Sequence, residues 1–241
     1  MNVARRAAAV VSALAIVGGT GWSAASKAGD DRGADLTAVA IASAADPAAT
    51  DDAFGVARLG SGRGVSADAS AGADTNCDGC TSSASVMSVV YVNHSRTVEV
   101  DNLATSATTG CTDCSSEAVS LQVVVLRRTQ TVVANNRSLA VNAVCESCTS
   151  SAVAHQIVVV APRGGQLSAK DLAALREWVR GQGPASSSAA RSAPEPSAKS
   201  SARSPSTSSP GSPAKQELEQ HLRHALGPLT TLSYKEDVDI R

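Results

Sequence analysis

Aromatic side chains are almost missing from this chain of 241 residues, with Trp22, Phe54, Tyr91, Trp178 and Tyr234 the whole inventory. Proteins that hold single-stranded nucleic acid need aromatic platforms and a basic groove, and a net charge of −1 supplies no such groove. A nucleic-acid partner is therefore not expected. Also missing are an HExxH zinc helix, a GxSxG elbow, a phosphate-binding glycine loop and a dinucleotide fingerprint. These absences argue against an enzyme, and no catalytic residue, resident metal or cofactor is expected. Long apolar runs are lacking too. A spanning helix needs about 20 such residues, and the one uncharged apolar stretch, residues 7–19, falls short.

That stretch has a different meaning. Arg5 and Arg6 precede it, and small residues ending Ser26-Lys27-Ala28 come after it. A cationic start, a short apolar run and a small-residue exit make a secretory signal peptide, here residues 1–28. The expected location is secreted or cell-envelope associated, with no stable membrane span after cleavage. No cysteine lies near the cleavage region, so a lipid anchor is unsupported. Six cysteines, an even count, suit an oxidising compartment.

The cysteines reveal the main organisation. Cys77-Asp78-Gly79-Cys80, Cys111-Thr112-Asp113-Cys114 and Cys145-Glu146-Ser147-Cys148 recur at a spacing of 34 residues. The residues after each pair recur as well. Ser116, Ala118, Val119, Gln122 and Val123 to Leu126 align with Ser150, Ala152, Val153, Gln156 and Ile157 to Val160, and Asn102 aligns with Asn136. Helical repeats of similar length carry bulky residues at 3.6-residue spacing, whereas these apolar residues come in β-branched runs of four, which favour strands. Each repeat is expected to be a CxxC turn, a strand of about ten residues, a polar turn, and a second, shorter strand. Within the first strand Ala118, Ser120 and Gln122 make a small, polar face, and Val119, Leu121, Val123 and Val125 an apolar one. Its end is apolar on both faces, which predicts cover on both sides.

The expected fold is therefore mainly β: three CxxC-headed repeats stacked as a small β-solenoid or meander over residues 77–180, with disordered flanks. In the third repeat, Ser168 as N-cap and Asp171 three residues on start a helix with Leu172, Leu175, Trp178 and Val179 on one stripe. This helix is expected to cap the open edge of the array. Residues 29–76, acidic and rich in alanine and glycine, read as disordered. Residues 181–216 form a serine-, proline- and alanine-rich linker. Residues 217–241 give a short amphipathic helix, with Leu218, Leu222 and Ala225 on one face, and then a tail. His221 and His224 lie three apart on that helix, a spacing that serves a solvated face more often than a metal.

Three chemistries compete for the cysteine pairs. Structural disulfides are favoured, one within each pair (Cys77 with Cys80, Cys111 with Cys114, Cys145 with Cys148), because each repeat carries its own complete set. Six cysteines nonetheless allow 15 pairings. Two converging pairs would supply four thiolates for zinc, but the third would lack partners, and His94 and His155 occupy different repeat positions. Thiol–disulfide exchange is disfavoured, since Asp78, Asp113 and Glu146 lie between the cysteines and negative charge opposes a thiolate.

The pattern Cys-x-x-Cys-x-Ser-x-Ala-Val-x-x-Gln-Val/Ile-Val-Val, with Asn136 and Leu139-Ala140-Val141-Asn142 before the next pair, resembles uncharacterised secreted actinobacterial proteins. It is also similar to an extracytoplasmic repeat of putative peptide zinc metalloproteases. The resemblance implies export and β structure. The peptidase's metal-binding helix and membrane spans have no counterpart in this sequence, so it does not imply proteolysis. The functional expectation is a secreted or envelope-associated, non-enzymatic structural or interaction module with a cell-envelope or extracellular protein partner. The alternative is an extracellular metal-binding or thiol-redox-responsive protein.

Overall fold

Extended runs recurring every 33 or 34 residues can satisfy one another's backbone groups by stacking in parallel register. The computed structural model describes residues 33–60, 62–161, 165–182, 213–226 and 230–241, and in it the chain does this. Eight strands succeed one another: β1 Gly33–Ala42, β2 Ala48–Leu59, β3 Gly62–Thr75, β4 Thr81–Asn93, β5 Ser95–Thr109, β6 Ser115–Arg127, β7 Thr131–Ala143 and β8 Thr149–Val160. Helices α1 (Ala169–Arg180) and α2 (Pro213–Leu226) and a last strand β9 (Thr230–Ile240) complete the fold. The odd strands form one parallel sheet, β1-β3-β5-β7; the even strands form a second, β2-β4-β6-β8, which β9 extends in the antiparallel sense. The result is a β-solenoid of about four turns, two strands to a turn.

The solenoid agrees with the sequence reading, but its limits differ. It starts a turn before the first CxxC, so β1, β2 and β3 lie within residues 29–76, the segment expected to be disordered. Two features hid that turn. Gly33 pairs with Ser66 and Ala48 with Thr81, a spacing of 33, and a tight turn closed between Ser43 and Asp46 stands where later turns have cysteines. Apart from Leu36 the interior there needs only small residues: Ala38, Ala40, Ala42, Ala69, Ala71 and Ala73 pack with it as one buried cluster. The strand preceding each CxxC is not the shorter one either, since β5 has 15 residues and β4 has 13. Residues 1–28, expected to be a signal peptide, and residues 183–212 of the expected linker 181–216 lie outside the described residues, and α2 begins within that linker at Pro213.

Inside and outside are divided by the pleat. Between the sheets β4, β6 and β8 present Ser82, Ser116 and Ser150, then Ala84, Ala118 and Ala152, then Val90, Val124 and Val158, each row in register. Polar members of this interior hold one another. The Asn102 amide donates to Asn136 Oδ1 at 2.7 Å and to the carbonyls of Ser120 and His155, while Ser120 Oγ donates back to Asn102 Oδ1 at 2.6 Å. Gln156 donates to Gln122 Oε1 at 2.8 Å. The bulky apolar residues Met87, Val89, Leu121, Val123, Ile157 and Val159 point the other way, out of the solenoid. Helices cover them. Leu175, Trp178 and Val179 of α1 and Leu218, Leu222 and Leu226 of α2 are buried on that face, at roughly 1.5–3 kcal/mol for each fully buried large side chain. The expected capping box is present: Ser168 Oγ accepts from Asp171 N at 3.2 Å, and the Asp171 carboxylate accepts from Ser168 N at 3.0 Å. Phe54 of β2 receives Arg176 and Arg180 over its ring at 5.0 and 5.2 Å, which pins α1 across the sheet. No helix among the described residues is long and apolar enough to cross a membrane.

Both helices therefore cover a sheet face, and the last edge is closed by the segment expected to be a tail. β9 pairs with β8 from Ser151–Ile240 to Val160–Thr230. It reaches the other sheet through side chains. Asp237 and Asp239 accept from the β7 amides of Ser138 and Ala140 at 2.8 and 3.1 Å, Asn136 donates to Lys235 O, and the Lys235 ammonium donates to Ala134 O. Carboxylates laid on open-edge amides block further strand addition. Truncation before Leu229 is expected to expose the β8 edge and drive self-association, read as a shift from monomer to oligomer in sedimentation. A truncated chain that stays monomeric at the same stability would show that β9 is not the cap.

Candidate functional site

The three CxxC turns sit at one corner of successive solenoid turns, so register places them in a column. Backbone bonds fix each turn on the next: Gly79 N donates to Thr112 O at 2.8 Å, Asp113 N to Glu146 O at 2.9 Å, Ser115 N to Cys80 O at 3.0 Å and Thr149 N to Cys114 O at 3.0 Å. Asp78 accepts from Thr112 N at 2.7 Å. In each pair the residue before the second cysteine is left-handed, with φ of 67° at Gly79, 53° at Asp113 and 56° at Ser147. The corner also absorbs the change of period from 33 to 34, where Gly110 takes φ of 61°. Its counterpart Val144 takes φ of 54°, a costly conformation for a β-branched residue, immediately before Cys145.

Cys77–Cys80 and Cys111–Cys114 are disulfides, as local pairing required. Cys145 and Cys148, expected to bond in the same way, are thiols. This last rung has no further CxxC above it, and its half-buried sulfurs lie against the rung below: Cys148 Sγ is 2.7 Å from Cys114 Sγ and 3.9 Å from Cys111 Sγ, and Cys145 Sγ is 3.7 Å from Cys111 Sγ and 3.9 Å from Cys114 Sγ. All four sulfurs fall within 4.8 Å of one another. Burial pushes the Cys145 thiol up, but hydrogen bonds from Cys148 and Thr108 and from the backbone of Cys111 and Ala143 outweigh it, and the net shift is downward. Burial and the neighbouring Cys145 raise the Cys148 thiol. Of the pair, Cys145 is thus the readier thiolate. Beneath the sulfurs lies a hydroxyl floor, in which Ser106 and Ser116 are 2.6 Å apart and Thr108 bonds Asn142 at 2.5 Å.

The histidines stay apart from this column. His94 Nε2 meets Arg128 at 2.7 Å on the opposite corner. His221 and His224 face a cleft between α1 and α2 lined also by Asp171 and Glu217. His155 is buried under α1, edge-on to Trp178 with ring centroids 5.1 Å apart, and its Nδ1 is 3.3 Å from the Tyr234 hydroxyl. Desolvation lowers its pKa to about 4, against a weaker opposing pull from Glu236. The sequence pattern alone makes His155 an ordinary strand histidine, because the residues that bury it come from α1 and β9.

The outer face of the four-stranded sheet carries neither helix nor strand among the described residues. Asp35, Asp68 and Asp101 stack there in one row, and burial together with repulsion from Asp35 and Asp101 raises the Asp68 carboxyl. Nearer the cysteine corner, Val39 and Ile41 of β1 and Leu139 and Val141 of β7 are exposed, at 52%, 55%, 50% and 38%. Gly72 and Thr105, and Asp74 and Ala107, link them across β3 and β5. This face is hidden in the sequence, since its residues alternate with the small interior ones. No protein-family model, no curated protein and no solved structure matches the chain.

Alkylation of the unreduced protein is expected to label Cys145 and Cys148 and leave four cysteines protected; protection of all six would show the third pair closed. Stability should also depend on pH through two groups of opposite sign. His155 stays neutral when folded, so its contribution is complete above the unfolded pKa of about 6.5 and is lost as pH falls towards about 4, a change of about 3 kcal/mol. Burial raises Glu117 to about 7, so its contribution is complete below its unfolded value near 4.5 and is lost as pH rises through about 7. In urea unfolding, the advantage of wild type over His155→Gln is expected to shrink between about pH 7 and about pH 4. Glu117→Gln should stabilise at neutral pH and above but not in acid. A difference independent of pH would remove these groups from the account.

Proposed function

We propose that this chain is a secreted or cell-envelope-associated, non-enzymatic structural or interaction module, with the uncovered face of its four-stranded sheet as the binding surface. The observation that carries the reading is the unequal treatment of the two sheets. One outer face is overlaid by α1 and α2, whereas the other exposes Val39, Ile41, Leu139 and Val141 beside a row of aspartates. These residues form two pairs on the outer strands of the face, Val39 with Ile41 and Leu139 with Val141, and large apolar side chains exposed together mark interaction sites on soluble proteins. The chemistry suits a protein partner that offers apolar side chains flanked by basic groups. Stacked disulfides and a β8 edge closed by β9 suit a rigid scaffold outside the reducing cytosol, and the leader sequence and the resemblance to secreted CxxC-repeat proteins point the same way.

A second reading has its own observation. The four sulfurs gathered at the last two rungs favour an extracellular metal-binding or thiol-redox-responsive protein.

The binding face is tested by placing a photo-crosslinking residue at Leu139 and, as a control, at Ala173 on α1, and exposing each to the envelope fraction. A discrete adduct from Leu139, lost when Ile41→Lys is added and absent from Ala173, is the expected result. Equal labelling from both positions, or none, would remove the sheet face as the binding surface.

A further inference from the structure

Tetrahedral coordination by four thiolates places the metal about 2.3 Å from each sulfur, and hence the sulfurs about 3.8 Å apart. Between the second and third CxxC rungs three of the four separations already have that length: 3.7 Å for Cys111–Cys145, 3.9 Å for Cys111–Cys148 and 3.9 Å for Cys114–Cys145. The fourth, Cys114–Cys148 at 2.7 Å, would have to open by about 1 Å, and the Cys111 and Cys114 sulfurs, bonded to each other here, would have to part as well. Each rung contributes two ligands from one four-residue turn, the way paired zinc knuckles do. The backbone bonds from Asp113 N to Glu146 O, Glu146 N to Cys111 O and Thr149 N to Cys114 O hold the two turns in fixed relation, independently of any bond between sulfurs. Cys77 and Cys80 do not belong to the group.

We propose that Cys111, Cys114, Cys145 and Cys148 of the reduced protein form a tetrahedral tetrathiolate site for Zn²⁺, and that Cys77 and Cys80 lie outside it. This deepens the metal- and redox-responsive reading and does not depend on the sheet face. The site is closed in the oxidised chain, because the Cys111–Cys114 bond removes two ligands. Opening it takes an external dithiol. The dithiol delivers two electrons and two protons to that bond, becomes a disulfide itself and leaves four thiols, whose four protons are released as Zn²⁺ binds. Soft thiolates select Zn²⁺ over Ca²⁺ and Mg²⁺, and the turn acids Asp113 and Glu146 set a negative potential at the approach to the site.

The experiment reduces the full chain anaerobically, removes the reductant, titrates with Co²⁺ and then Zn²⁺, and reads absorption, native mass and circular dichroism. Thiolate-to-cobalt charge transfer with a tetrahedral ligand-field band, and one retained Zn²⁺ per chain, are expected. Cys77→Ser with Cys80→Ser should keep both signals, and Cys145→Ser with Cys148→Ser should lose them. Because loss in the second variant could come from misfolding, a Cys145→Ser chain left oxidised at Cys111–Cys114 serves as the folded reference for circular dichroism. A reduced wild-type chain that binds no Zn²⁺, whether folded or unfolded, overturns the proposal, and so does binding that requires Cys77 and Cys80. If Zn²⁺ fails to bind but alkylation mapping shows the disulfide shared between the two rungs, the site is refuted while the redox reading stands. If neither occurs, both fall.

Discussion

Parallel in-register stacking sets the terms for everything else in this molecule. Each residue lies one strand spacing, about 4.8 Å, from its counterpart a turn away, so whatever a position carries is multiplied along the axis. A serine becomes the row Ser82, Ser116, Ser150, and an asparagine becomes the Asn102–Asn136 pair, whose amides would be costly if buried without partners. The same rule stacks Asp35, Asp68 and Asp101 in mutual repulsion and stacks three CxxC turns into a column of sulfur. Stabilising rows and strained ones arise from one geometry.

The thin interior is the next consequence. Two sheets linked by short corners enclose mainly alanine, serine and valine, with Leu126 the one large apolar residue of β4, β6 and β8 among them, and the other large apolar residues of these strands point outward. The outward rows Met87, Leu121, His155 and Val89, Val123, Ile157 cannot stay in water, and α1 and α2 supply their cover. The four-stranded sheet carries smaller and more polar outer residues and tolerates exposure. The asymmetry between a covered and an open face thus grows from how volume is shared between the two sides of each strand.

Ends are the other problem of a linear stack, because the last turn offers unpaired amides. β9 closes β8 with backbone and reaches β7 with Asp237 and Asp239, while at the opposite end Asp51 accepts from Val39 N at 2.7 Å. The final rung of cysteines shares this terminal position. The Cys145 and Cys148 thiols reach back towards the pair below.

Period, strand character, the split into small and bulky faces, the Ser168–Asp171 helix start and the local pairing of Cys77–Cys80 and Cys111–Cys114 were all legible in the sequence. They rest on local patterns, repeated often enough to be seen. The first turn was not legible. Its alanines are strand residues only because a neighbouring turn supplies ladder bonds and a narrow cavity that alanine fills. Nor could the sequence assign β9 to the β8 edge, bury His155 beneath Trp178, or bring Cys148 against Cys114. Each of these joins residues whose contact depends on where a distant segment docks, and that is decided by edge amides and apolar surface that exist only once the solenoid has formed.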